Sequence, residues 1–411
     1  MPNKRKKEWR PWLATWLSLT LLAGCAGPSR LETTATPEPP HAAETAAPAE
    51  PGPLAEPEPR PTESSAPPEE KETITVSTPE EVQNELLGAM SKVEQPAPMD
   101  ISGAGLGEDV DIAVKNLYYD LTRRYPELKY AYEVSAAAEG DILICRISYM
   151  PYKTGTQAPG DGVLSISDLG ELLRAAEEHL GEETLPICIT DPSLEPEDMD
   201  RVLWQAGGGY ILCALNRDAT AIAFMPPMDL AMEECLSRRA EADRLAEEIV
   251  EEETDGSMTE GEKALALYTW LTGNVGYDRS YYSDRENMPY DSQTALGALR
   301  DGLAICGGYS HALKLLFEKA DIPCFTLSGK YFSENHMWNL ARLEGEWLWF
   351  DATSDRGVSP QFGFRHYAME ELDDTRYQWE PERAELLLRL AETYDGTAVG
   401  LQYILDSKEK K

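Results

Sequence analysis

Positive charge is scarce in this 411-residue sequence: 37 Lys and Arg stand against 73 Asp and Glu, a formal net charge of −36. A surface of that sign repels phosphate backbones, which argues against nucleic acid as a partner; most of the acid serves only solubility. The seven cysteines include no C-x-x-C pair, so the sequence supports no zinc site, and neither a metal nor a cofactor is expected. The apolar run near the start, Trp12 to Ala23, is shorter than the roughly 20 residues a helix needs to cross a bilayer. No internal repeat is found, and the length suits about two domains at roughly 100–200 residues each.

What is present at the start is an export pattern. Lys4, Arg5, Lys6, Lys7 and Arg10 precede the apolar run, which ends in Leu22-Ala23-Gly24-Cys25. A basic region, a short apolar region and small residues at the cut describe a signal peptide over 1–24. The ending resembles the lipobox of bacterial lipoproteins. That resemblance implies that Cys25 is acylated and becomes the mature N-terminus. Two acyl chains on one residue anchor a protein stably, where one chain binds only marginally. The expected location is the extracytoplasmic face of the cell membrane.

From Ala26 the composition is Pro, Glu, Ala, Thr and Ser with almost no large apolar residue. Such a segment cannot bury enough surface to offset its chain entropy, and proline stiffens it into a spacer. A disordered linker is therefore expected over 25–105, with no more than an isolated turn or two after Thr78-Pro79-Glu80-Glu81. A small α+β domain of unassigned role is expected over 106–235. Asp109 to Arg124 has apolar residues at helical spacing, and Ile142 to Ile147 reads as a strand. Ser167 to His179 reads as a helix, Leu185 to Thr190 as a strand, and Pro196 to Gln205 as a helix ended by Gly207-Gly208-Gly209. Tyr210 to Cys213 and Thr220 to Phe224 read as paired strands. Cys145, Cys188 and Cys213 lie in apolar strand-like runs and read as buried thiols, with disulfide pairing left open for an exported chain.

The remaining stretch, 236–411, is expected to form a second domain with its core at about 259–355. Met232 to Glu252 is a charged helix leading into it. Thr259 and Glu262 have the spacing of a capping box, and the helix they start carries Ala264, Leu267, Tyr268 and Leu271 on one face. Further on, Gly302 breaks a short helix and Cys306 opens the next. A thiol at a helix N-terminus feels the positive end of the backbone dipole, which favours the nucleophilic thiolate. The unpaired N–H groups of that first turn can hold a developing oxyanion. Gly307 and Gly308 are read as leaving room for a substrate backbone.

Two further segments complete the pattern: Asn335-His336-Met337-Trp338-Asn339 and Trp347-Leu348-Trp349-Phe350-Asp351. A two-residue hairpin turn at Glu344-Gly345 would oppose Leu343 to Glu346 and place His336 and Asp351 on one face as diagonal neighbours. The carboxylate can then bond one imidazole nitrogen and leave the other to take the proton from Cys306, the logic of a nucleophile, a base and an orienting acid. Trp347, Trp349 and Cys324 read as core. Of the other histidines, His311 reads as core or rim, His41 falls in the linker, and His179 and His366 have no identifiable partner.

The order G-x-x-x-C-G-G-Y, then H-x-W-N, then W-x-x-x-D-A-T resembles the three motifs of the bacterial transglutaminase-like superfamily. The resemblance spans about Thr259 to Asp355, roughly a quarter of the chain. It implies a papain-like α+β fold, with the nucleophile's helix packed on an antiparallel sheet, and the roles of nucleophile for Cys306, general base for His336 and orienting acid for Asp351. Tyr277, after Gly276, resembles an upstream block of the family and is a candidate oxyanion donor. Met337 and Ser354 depart from the commonest pattern without removing a reacting group. The function expected is thiol-based acyl transfer on amide bonds of a peptide or protein substrate, with cell-wall-associated peptides among the candidates. Peptidase-like hydrolysis and transglutaminase-type transfer are both open. A surface binding module that kept the fold without turnover is the alternative.

Overall fold

The computed structural model describes residues 71–227 and 230–393. The expected signal peptide and Cys25 lie outside the described residues, as does His41.

The folded body begins earlier than the composition suggests. Helix α1 (Pro79–Lys92) starts at Thr78, whose hydroxyl accepts from the Glu81 N–H at 3.2 Å. It buries Val82, Leu86, Ala89 and Met90, an i, i+4, i+7, i+8 stripe. Strands β1 (Ile74–Thr75) and β2 (Met99–Asp100) join β3 (Ala131–Glu139) and β4 (Ile142–Tyr149) in a sheet of order β1-β2-β4-β3. Residues 72–105 are thus part of the core, not of the linker expected over 25–105. The Pro- and Glu-rich composition ends near Glu72, and a few spaced apolar residues beyond it are enough to hold a helix when a sheet receives them. Helix α2 (Val110–Arg124), capped by Asp109, adds Val114, Tyr118 and Leu121 to this core.

A second sheet, of order β5-β6-β8-β7, uses β5 (Leu164–Ile166), β6 (Thr184–Ile189), β7 (Leu212–Leu215) and β8 (Ala221–Met225). Helix α3 (Leu169–Glu178) is capped by Asp168, which accepts from the Glu171 N–H at 2.8 Å, and α4 (Pro196–Leu203) follows. The glycine triple forms a 3-10 turn with all three φ angles positive, from 56° to 85°. Cys145, Cys188 and Cys213 are buried free thiols.

Helix α5 (Met232–Glu253) leads to α6 (Glu260–Asn274), where the Thr259–Glu262 capping box is formed in both directions. Strand β9 (Gly276–Tyr277) runs parallel to β10 (Leu303–Ala304), with α7 (Ser280–Ser283) and α8 (Ala295–Leu299) between them. Helix α9 (Cys306–Lys319) follows β10 directly and is buried over most of Gly308 to Phe317. It packs on the antiparallel sheet β13-β12-β11-β14, made of β11 (Cys324–Tyr331), β12 (Glu334–Leu343), β13 (Glu346–Phe350) and β14 (Tyr377–Gln378). At the β12–β13 turn Glu344 and Gly345 have φ 53° and 89°, the pair of positive values a tight two-residue hairpin requires. Leu343 accordingly faces Glu346. Trp347 and Trp349 are fully buried beneath this sheet.

No gap falls at residue 235. From Glu72 on the chain clusters as one unit. Gln205 pairs with the backbone of Thr326 through both its amide atoms at 2.9 Å, and α10 (Pro381–Glu392) returns to pack on α3 and α4.

Candidate active site

Cys306 stands where β10 turns into α9, and neighbouring backbone holds it there. The Ile305 N–H donates to the Ser292 carbonyl at 2.8 Å, and the Asp278 N–H to the Ala304 carbonyl at 2.9 Å. Asp278 is buried and accepts from both the N–H and the hydroxyl of Ser280 and from Ser292 Oγ at 2.6 Å, bonds that lower its pKa against the cost of burial. Gly307 and Gly308 are needed for this packing. A Cβ on Gly308 would lie 2.6 Å from the Ser292 carbonyl oxygen and 2.8 Å from Ala304 Cβ, and one on Gly307 3.1 Å from the Gln293 carbonyl oxygen. The room expected for a substrate is therefore filled by the chain's own backbone at 292–293. Ile305, at the N-cap of α9, makes no side-chain cap, and among the described residues no side chain is bonded to the donors of the first turn. Cys306 is partly exposed, whereas Cys145, Cys188, Cys213, Cys235 and Cys324 are buried. Burial pushes the Cys145 and Cys213 thiols up to about 12.

His336 lies on β12 opposite Gly329 of β11. Gly329 can be nothing larger: a Cβ would meet the Gln378 carbonyl oxygen at 2.3 Å and the Trp338 ring at 2.6 Å. The His336 ring stacks near that of Trp338, with centroids 6.0 Å apart. Its Nε2 bonds Asp351 Oδ2 at 2.8 Å, so Nδ1 is the nitrogen left, and Cys306 is near enough to help raise the ring's pKa. Burial alone would lower the imidazole pKa. The charge of Asp351, its hydrogen bond and Cys306 override that and raise it to about 10.

Asp351 is 1% exposed, and its pKa is lowered because the imidazolium and several donors outweigh burial. Two of those donors were not singled out from the sequence. Ser354 gives its N–H to Oδ1 at 3.1 Å and its hydroxyl to Oδ2 at 2.7 Å, and Tyr377 on β14 gives its hydroxyl to Oδ2 at 2.8 Å. Ser354 departs from the familiar motif, yet its spacing of three from an aspartate is a turn signature that marks it as a donor. Nothing local marks Tyr377. Asn339, buried on the same strand as His336, donates to the Ser310 carbonyl at 2.9 Å and so ties the histidine's strand to the nucleophile's helix.

Tyr277 is brought beside Cys306 by the pairing of β9 with β10. Burial, and then the neighbouring Cys306 and Tyr282, raise its pKa. Its ring stacks on that of Tyr282 at 6.1 Å, and Tyr282 donates to Glu334 at 2.8 Å. The guanidinium of Arg356 lies 5.0 Å from the centre of the Tyr277 ring.

Of the other histidines, His366 adjoins this cluster, its carbonyl accepting from the Asp351 N–H at 2.8 Å. His366, which had no partner in the sequence reading, bonds Asp355 at 3.0 Å, and Asp355 also accepts from Tyr268 at 2.9 Å. His179 bonds Glu182 at 2.7 Å. The His311 Nδ1 is buried and unpartnered among the described residues, and burial, with Lys314 and Arg239 nearby, lowers its pKa to about 4.

Residues 243–352 match the model of the transglutaminase-like superfamily. Two solved structures are similar at low level. One is a TGase, 15% identical with TM-score 0.29, covering 52% of this chain and 71% of that one. The other is a candidate cysteine protease from Cytophaga hutchinsonii, 21% identical with TM-score 0.24, covering 35% of this chain and 53% of that one. Likeness at that level fixes neither activity nor substrate. No curated protein sequence matches the chain. The part of the α+β body that carries Cys306, His336 and Asp351, residues 243–352, is a transglutaminase-like domain.

Proposed function

We propose that this chain is a thiol acyl-transfer enzyme acting on amide bonds of peptides or proteins at the outer face of a membrane, anchored through a lipidated Cys25. The observation that carries the reading is the His336 Nε2–Asp351 bond of 2.8 Å, with the ring's other nitrogen left for the thiol at the start of α9. With its pKa raised to about 10, the imidazole is charged across the neutral range. The nucleophile is the Cys306 thiolate, and the charged imidazole beside it holds the proton that the leaving amine takes.

The Cys306 sulfur attacks the amide carbonyl carbon, and the electron pair moves onto the carbonyl oxygen. The uncapped N–H groups of the first α9 turn are the donors best placed for that oxyanion. The C–N bond breaks, the leaving amine takes the proton from His336 Nδ1, and an acyl-thioester remains. Water then yields the acid, or an amine yields a new amide; His336 takes the proton of either nucleophile as the thiolate leaves, which restores the starting pair.

Cys306→Ala is expected to abolish labelling by iodoacetamide near neutral pH, because the other described cysteines are buried. Mass spectrometry of wall-associated peptides incubated with the soluble protein and an amine donor separates cleavage from cross-linking. A Cys306 that reacts no faster than glutathione, with no trapped acyl-enzyme, favours a binding module and refutes the enzyme. Cys25→Ala is expected to move the protein from the membrane fraction to the soluble one.

A further inference from the structure

Arg356 is the unusual cation of this site. It sits five residues past Asp351, and its Nη1 is anchored on the Thr353 carbonyl at 2.6 Å. Its guanidinium lies against Tyr277, the ring next to Cys306, and its charge is also felt at Tyr309 in the first turn of α9. The residue is exposed. Among the described residues it has no carboxylate partner, in a chain with 73 acidic and 37 basic residues.

The nearby acids are all engaged elsewhere. Asp278 accepts from Ser280 and Ser292, Glu334 from Tyr282, Asp351 from His336, Ser354 and Tyr377, and Asp355 from Tyr268 and His366. One of the five guanidinium N–H donors is used by Thr353, and the planar fork keeps the geometry that receives a carboxylate through two parallel bonds. Anchoring has already fixed much of the side chain's freedom, which lowers the entropy lost on binding an anion. The positive end of α9 and the charged His336 add to the same field.

We propose that Arg356 is the specificity-determining residue of the cleft and receives a carboxylate carried by the acyl substrate one or two residues from the amide attacked by Cys306. The substrate class is an acidic peptide amide, or a peptide with its free terminal carboxylate close to the scissile bond. The proposal rests on the acyl-transfer reading above.

The test uses two alkylating probes that differ only in charge, N-iodoacetyl-glycine and N-iodoacetyl-glycinamide. Their rates at Cys306 are read by peptide mass spectrometry, with Cys306→Ala as the blank. The anion-to-amide rate ratio is expected to exceed that of glutathione. Arg356→Gln should lower the ratio by about tenfold, the effect of one charge-assisted bond. Arg356→Lys keeps the charge without the fork and should fall between. In the unaltered protein the ratio should shrink from low salt to about 1 M, where the screening length is only about 3 Å. A ratio within about twofold of the unaltered protein's in Arg356→Gln, or one indifferent to salt if that variant does not fold, overturns the role of Arg356. If neither probe modifies Cys306 faster than glutathione, the acyl-transfer reading fails together with it.

Discussion

Asp351→Asn removes one charge and keeps the shape of the side chain, so it isolates what the carboxylate does to His336. The imidazole pKa is raised to about 10 from an ordinary 6.5, against burial that pulls the other way. At 1.36 kcal/mol per pH unit, that difference is worth ~5 kcal/mol. The side chains of the pair are only 10% and 0% exposed, so little is lost to solvent screening. Removing one partner of such a pair costs about 3–5 kcal/mol, a range consistent with that figure. The raised imidazole contributes stability that is complete below pH 6.5 and lost as pH rises through about 10. The lowered Asp351 carboxyl contributes stability present above its ordinary 3.8 and lost as pH falls through its folded value. Native protein should therefore be most stable between pH 3.8 and 6.5, and the variant's stability should fall far less as pH moves outside that window. Histidine NMR over pH 5–11 should find His336 titrating near 10 in the native protein and near or below 6.5 in Asp351→Asn. Iodoacetamide labelling of Cys306 at pH 7–8 should slow in parallel. A variant whose His336 still titrates near 10, or a native protein whose His336 titrates near 6.5, would refute the account.

Gly308→Ala should cost about 1–3 kcal/mol by overpacking against Ser292 and Ala304 and also slow Cys306 labelling, measured by chemical denaturation alongside alkylation; a native-like midpoint would show that the 292–293 backbone yields freely. Leu86→Ala should cost about 2–5 kcal/mol and lower the unfolding temperature of the whole body, because Leu86 is fully buried; a loss under about 0.5 kcal/mol would return α1 to the linker.

Local signals decided the elements that close within a few residues. The Thr259–Glu262 capping box, the Asp109 and Asp168 caps and the Glu344-Gly345 turn each need only neighbours three or four positions away, so residue type and spacing suffice. The same holds for His336 and Asp351, since two strands joined by a tight turn have a fixed register. Spacing also sufficed to pick out Cys306 at the start of a helix. Packing decided the rest. The donor from Tyr377 reaches Asp351 across 26 residues, Asn339 ties β12 to α9, and Arg356 lies on Tyr277 from a distant segment. Which nitrogen of His336 faces the acid, what fills the space beside Gly307 and Gly308, and how far the core extends toward Glu72 were likewise settled only by folding. These features depend on which surfaces meet once the sheets and helices are stacked, and a contact of that kind leaves no periodicity along the chain.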